Sequence, residues 1–136
     1  MIKKKSTLLL LCVLFACQKE PVKTLAEKVS GVYIGEYKYK ETLPDFLIRV
    51  EPVSANTVRI HAEGSNRSAD FTVEITPDKL GNRDLMKMQF PLSVFQSTGY
   101  FVLNTGQISY NLYLGSSDPG NKEIFNGTKK AESRQN

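Results

Sequence analysis

From Val32 onward, apolar and polar residues alternate with a period of two almost to the end of the chain. Val32–Lys40 places Tyr33, Gly35, Tyr37 and Tyr39 on one face and Glu36, Lys38 and Lys40 on the other. Phe46–Val53 sets Phe46, Ile48 and Val50 against Leu47, Arg49 and Glu51, and Thr57–Glu63 sets Val58, Ile60 and Ala62 against Arg59, His61 and Glu63. The same holds for Phe71, Val73 and Ile75 in Asp70–Thr76, and for Met86, Met88 and Phe90 in Leu85–Phe90. In Gln107–Leu114 the apolar set is Ile108, Tyr110, Leu112 and Leu114. Tyr100–Leu103 and Glu123–Thr128 complete a set of about eight strands. Alternation of this kind belongs to antiparallel strands with one face in a core and one in water.

The breaks carry turn chemistry: Leu43–Pro44–Asp45, Ser54–Ala55–Asn56, Gly64–Ser65–Asn66, Asn104–Thr105–Gly106 and Asp118–Pro119–Gly120–Asn121. The longer Pro91–Thr98 link, containing Val94 and Phe95, reads as a covering loop or part of a strand. Short connections imply pairing between sequential neighbours. A meander of eight strands has two open edges, and closing it removes both. The expected fold is therefore all-β: an antiparallel up-and-down barrel of about eight strands over residues 30–129, with a β-sandwich as the alternative. Ahead of it, Thr24–Leu25–Ala26–Glu27 has the spacing of a capping box, which predicts one or two helical turns ended by Ser30–Gly31.

The N-terminus has a different character. Lys3, Lys4 and Lys5 precede the apolar run Leu8–Ala16, which is too short for the ~20 residues of a membrane-spanning helix. Leu14–Phe15–Ala16–Cys17 resembles the lipobox of bacterial lipoproteins. The resemblance implies a signal peptide over 1–16, lipidation of Cys17 and a membrane anchor through the N-terminal lipid. A cysteine bearing several acyl chains is held durably, each buried methylene contributing ~0.8 kcal/mol. Residues 17–29 read as anchor and tether, and 130–136 as a disordered tail. Gln18–Lys19–Glu20 resembles part of the export signal of surface lipoproteins in the Bacteroidota. The expected location is the outer membrane, on its periplasmic face or at the cell surface.

Losing residues 1–16 changes the charge. The whole chain has 18 Lys+Arg and 14 Asp+Glu; the leader takes three lysines and no acid, leaving 15 against 14. No basic excess remains to draw phosphates, so no nucleic-acid partner is expected. Cys12 leaves with the leader and Cys17 is blocked, so no disulfide is expected.

The chemistry of catalysis is missing. His61 is the one histidine and falls on the polar face between Arg59 and Glu63, the position of a solvated surface residue. Glu36, Glu51, Glu63 and Glu74 also fall outward. Zinc needs clustered His or Cys, and calcium more spaced oxygens than Asp118–Asn121 supplies. The chain reads as no enzyme, with no metal and no cofactor.

Ser30–Gly31–Val32–Tyr33–Ile34–Gly35 resembles the opening of a lipocalin or calycin barrel, with Gly31–Val32–Tyr33 in the place of the family's Gly-x-Trp motif. Ile124–Phe125–Asn126–Gly127–Thr128–Lys129 is similar to the closing strand of small calycin-like lipoproteins of the Bacteroidota. The resemblance covers roughly Ser30–Lys129 and implies a ligand site inside the barrel or at its mouth. Tyr33, Tyr37, Tyr39, Tyr100 and Tyr110, with Met86 and Met88, are the candidate lining. Tyr33 is the expected plug of the closed end.

Three functions are compatible with these features. One is an interaction module docking its outer face on an envelope protein partner, through a patch drawn from Leu47, Leu85, Tyr113, Phe101 and Leu103. A second is a carrier or sensor of a small apolar ligand. A third is an inhibitor of an incoming hydrolase. The inward positions are nearly all large, which favours a filled interior and places any ligand at the mouth near Tyr37 and Tyr39.

Overall fold

The computed structural model describes residues 20–63, 70–81, 83–91, 96–115 and 120–132. One short helix, α1 (Leu25–Val29), precedes eight strands: β1 (Gly31–Tyr39), β2 (Glu41–Pro52), β3 (Thr57–Ala62), β4 (Asp70–Leu80), β5 (Arg83–Gln89), β6 (Thr98–Val102), β7 (Gln107–Tyr113) and β8 (Lys122–Lys129). Each strand pairs antiparallel with the next, and β1 closes on β8 from Tyr33↔Lys129 to Lys38↔Ile124. The expected up-and-down barrel is the fold.

Closure along the β1–β8 seam depends on small residues. Gly35 sits opposite Gly127. A Cβ on Gly35 would fall on the Asn126 carbonyl oxygen and the Gly127 Cα, so a side chain there would force the strands apart. A Cβ on Gly127 would lie 2.6 Å from the Phe125 ring, which folds into that space.

Inward faces follow the alternation: Phe46, Ile48, Val50, Val58, Ile60, Val73, Ile75, Met86, Met88, Ile108 and Tyr110 are all buried. Local departures have local causes. Leu43–Pro44–Asp45 is not a turn; it lies within β2, and the chain reverses at Lys40, where Tyr39 pairs with Glu41. Lys40 and Asp45 both have positive φ (60° and 54°), and the register slips between Gly35 and Tyr37, so Pro44 and Asp45 belong to an irregularity in the pairing. Ser54–Asn56 and Asn104–Gly106 are turns as expected. The Gly64–Asn66 turn, Val94–Phe95 and Asp118–Pro119 lie outside the described residues, as does Cys17.

Two further expectations are corrected. Leu114 follows the last residue of β7 and is exposed rather than inward. The proposed outer patch does not assemble: Phe101 faces inward at 1% exposure, Leu103 packs against the core, and Leu47, Leu85 and Tyr113 are half-buried.

The two ends of the barrel differ. Helix α1 packs against β2 and β4 at one end and buries Ala26 and Val29 there. Its capping box is complete: Glu27 N–H donates to the Thr24 hydroxyl (3.2 Å), and Thr24 N–H donates to the Glu27 carboxylate (2.7 Å). The Ala26 amide donates to the Ala55 carbonyl in the β2–β3 turn at 3.0 Å, tying the helix to the barrel. The opposite end, where β7 passes to β8 and β1 to β2, is the mouth.

Candidate functional site

Six aromatic side chains cross the half of the barrel nearer the mouth. Tyr37 stacks on Phe46 (ring centroids 4.5 Å, interplanar 18°), and Phe46 meets Phe125 edge-on at 6.4 Å. Phe125 stacks on Tyr110 at 5.8 Å, Tyr110 meets Phe71 edge-on at 5.2 Å, and Phe71 reaches Phe90 at 5.9 Å. The column runs from the β1–β2 wall through β8 and β7 to the β4–β5 wall. Gly99, opposite Tyr110 on β6, leaves the room into which the Met88 sulfur packs.

Just beyond this column, toward the rim, lies Glu123. It is 4% exposed and is the buried charged residue of the described core. Its place follows from register. Tyr37 on β1 and Tyr110 on β7 both pair with Phe125 on β8. Glu123 is two residues earlier on the same inward face, making it the diagonal neighbour of both tyrosines. The Tyr37 side chain hydrogen-bonds the Glu123 carboxyl. Glu123 Oε2 and the Tyr110 hydroxyl are each buried without a partner. Burial pushes the Glu123 carboxyl above its ordinary range, against the opposing effect of the Tyr37 hydrogen bond. Burial also pushes the Tyr110 phenol up, with Glu123 and then Tyr37 adding to it.

At the rim, the half-buried Tyr39 donates its hydroxyl to Asn121 Oδ1 (3.2 Å), and Asn121 Nδ2 donates to the Leu114 carbonyl (3.2 Å). These bonds tie β1 to the β7–β8 connection. Phe46 and Leu112, both 8% exposed, and the half-buried Leu43 give the rim an apolar border.

No known family, curated protein or solved structure matches this chain. The site is therefore read from its geometry alone.

Of the candidate lining residues, Tyr37 and Tyr110 are brought together through Phe46 and Phe125, and Tyr39 stands above them at the rim. Tyr33 is elsewhere. It is buried at the closed end beside Phe101 (6.0 Å) and donates its hydroxyl to the Val29 carbonyl at 2.7 Å. Met86 and Met88 are buried in β5. Tyr100 is not a lining residue: it points outward at 45% exposure, over a shallow groove of about 290 Å³ shared with Gln107, Ser109, Asn126 and Thr128.

Glu123 is the residue that strand reading missed, although a signal was present. Lys122–Glu123–Ile124–Phe125–Asn126 alternates, and once Phe125 is inward, Glu123 must be too.

His61 is only 24% exposed, less solvated than expected, and lies on the outer wall. Its Nε2 is 3.2 Å from Glu51, and around it run the pairs Arg49–Glu63 (2.7 Å) and Arg59–Asp70 (2.8 Å). The guanidiniums hold both carboxyls below their ordinary range through side-chain hydrogen bonds. Among the described residues no group of three or more His, Cys, Asp and Glu gathers to hold a metal.

Proposed function

We propose that this protein is a non-enzymatic, lipid-anchored module of the cell envelope that works by binding, with a barrel of the calycin type held at the outer membrane through Cys17. The observation that carries the reading is the filled interior. Rings in mutual contact extend from wall to wall, and Tyr33, Phe101 and helix α1 occupy the other end. A drug-sized ligand wants a pocket of roughly 300 Å³ or more, largely enclosed. Recognition then falls to the outer wall, where Tyr100 overlooks an open groove suited to an envelope protein, and to the mouth. The outward histidine, set among paired carboxylates, supports a binding role over catalysis.

The test is to purify the full chain in detergent, extract it for co-purifying lipids and titrate it with an environment-sensitive apolar dye. The expected result is no stoichiometric lipid and no saturable dye site. One bound lipid per chain, or a dye site competed by fatty acids, would make the protein a carrier instead. The anchor is tested separately: Cys17→Ser moves the protein from the membrane fraction to the soluble one or leaves it uncleaved. A membrane-bound mutant of unchanged size and amount would remove the lipoprotein reading.

A further inference from the structure

The two most exposed large apolar side chains among the described residues stand at the closed end: Val22 is 90% exposed and Val53 60%. Pro21 and Val22 border the same surface concavity as Pro52, and Val53 follows Pro52 into the β2–β3 turn. The bond from the Ala26 amide to the Ala55 carbonyl fixes that turn to helix α1. Single exposed apolar residues are ordinary, whereas a cluster at one end of a molecule marks a contact surface. The charged residues of the segment balance, exposed Lys23 and Lys28 against exposed Glu20 and Glu27, so the contact it offers is apolar rather than electrostatic.

The chain that leads into this end decides what covers it. The described residues begin at Glu20, beside Pro52, and Cys17 lies three residues earlier. Three residues reach at most ~11 Å even when fully extended. The mouth is out of that range: the nine residues of β1 climb about 20 Å along the barrel axis, at the rise and tilt usual for barrel strands. Of the residues 17–29 expected as anchor and tether, 25–29 form α1, docked on β2 and β4. We infer that the closed end rests on the lipid bilayer that takes the acyl chains of Cys17, with Val22 and Val53 seated in its headgroup layer and the mouth turned away. This rests on the reading of Cys17 as the lipid anchor. Apolar side chains of interfacial segments lodge about 5–10 Å into the boundary between headgroups and acyl chains. Because the covalent lipid supplies the attachment, two valines suffice to set the orientation. The mouth and the groove beneath Tyr100 stay open to a partner.

The sequence contains no tryptophan, so one introduced by substitution is the sole indole emitter. Val53→Trp places it at the closed end and Leu114→Trp at the mouth, both at exposed positions that leave the core intact. Each full chain is purified in detergent, reconstituted into phosphatidylcholine vesicles with and without bromine on the upper part of the acyl chain, and floated on a density gradient. The expected result is that both variants float with the vesicles. The Val53→Trp emission loses intensity in brominated lipid and shifts to shorter wavelength, whereas the Leu114→Trp emission keeps its intensity. Floating chains in which Val53→Trp is unquenched, or in which the two emitters are quenched alike, would overturn the inference and leave the anchor in place. A Val53→Trp emission that is blue-shifted yet unquenched would assign the patch to a second copy of the chain, and would overturn it too. Chains that do not float would overturn the anchor reading and the inference with it, so the two failures are distinguishable.

Discussion

Tyr33 and Tyr110 are both inward-facing tyrosines with almost no exposure (2% and 1%), but the two ends of the barrel treat them differently. At the closed end the Tyr33 hydroxyl donates to the Val29 carbonyl, one of the last carbonyls of helix α1, which the helix cannot satisfy itself. At the mouth the Tyr110 hydroxyl has no partner, and beside it the Glu123 carboxyl is only partly satisfied. The same side chain completes a structural joint in one place and stands unpaired beside a buried acid in the other. Burial alone therefore does not distinguish the two tyrosines; the fate of the hydroxyl does. The closed end is built for stability, whereas the mouth leaves polar atoms buried without partners.

The largest effect expected from breaking this contrast comes from Tyr33→Ala. It removes a buried ring and the hydrogen bond to α1, costing about 3–5 kcal/mol of a total near 5–15 kcal/mol. Denaturant unfolding checks it; a loss below about 1 kcal/mol would mean that the closed end does not depend on Tyr33. A sharper comparison changes only the hydroxyls. Tyr33→Phe leaves the Val29 carbonyl buried without its donor and costs about 1–3 kcal/mol, whereas Tyr110→Phe removes a group that had no partner and is neutral or stabilising. Equal losses in the two variants would erase the distinction between the ends. The smallest effect is at the helix: Thr24→Ala removes the cap of α1 and costs about 1 kcal/mol, read as a lowered melting temperature with the barrel's circular dichroism unchanged.

How far the sequence foretold these two ends follows from what period-two patterning measures. It assigns faces, so the eight strands, their order, and the inward Ile48, Ile60, Ile75, Ile108 and Tyr110 were legible. It does not measure register. The irregularity near Pro44 and Asp45 was read as a turn because Pro and Asp favour turns, and the actual reversal at Lys40 carries neither Gly nor Pro. Nor does patterning find a polar residue on an inward face when the search is for apolar ones, which is why Glu123 was passed over while Phe125 beside it marked the face. Tyr100 was grouped with the pocket tyrosines on residue type, whereas its neighbour Phe101 takes the inward position on β6. The site is thus a matter of cross-strand pairing, in which Tyr37 and Tyr110 flank Phe125 from the two neighbouring strands.

The central claim is that the mouth holds a buried, under-satisfied acid, and the stability of the protein as a function of pH tests it most directly. Glu123 has a folded-state pKa raised above its ordinary value of 4.5 by burial. Well below that value the carboxyl is protonated whether the chain is folded or unfolded, and the group has no effect. As the pH rises past 4.5, the unfolded chain ionises while the folded one holds its proton. Stability therefore falls until the pH passes the raised folded-state value, and then levels off. Groups remote from Glu123 contribute equally to wild type and Glu123→Gln, so the difference between the two isolates the Glu123 carboxyl. The account predicts that wild type loses stability relative to Glu123→Gln as the pH climbs from 4.5 into the neutral range. A difference that stays flat, or that moves in wild type's favour, would contradict it.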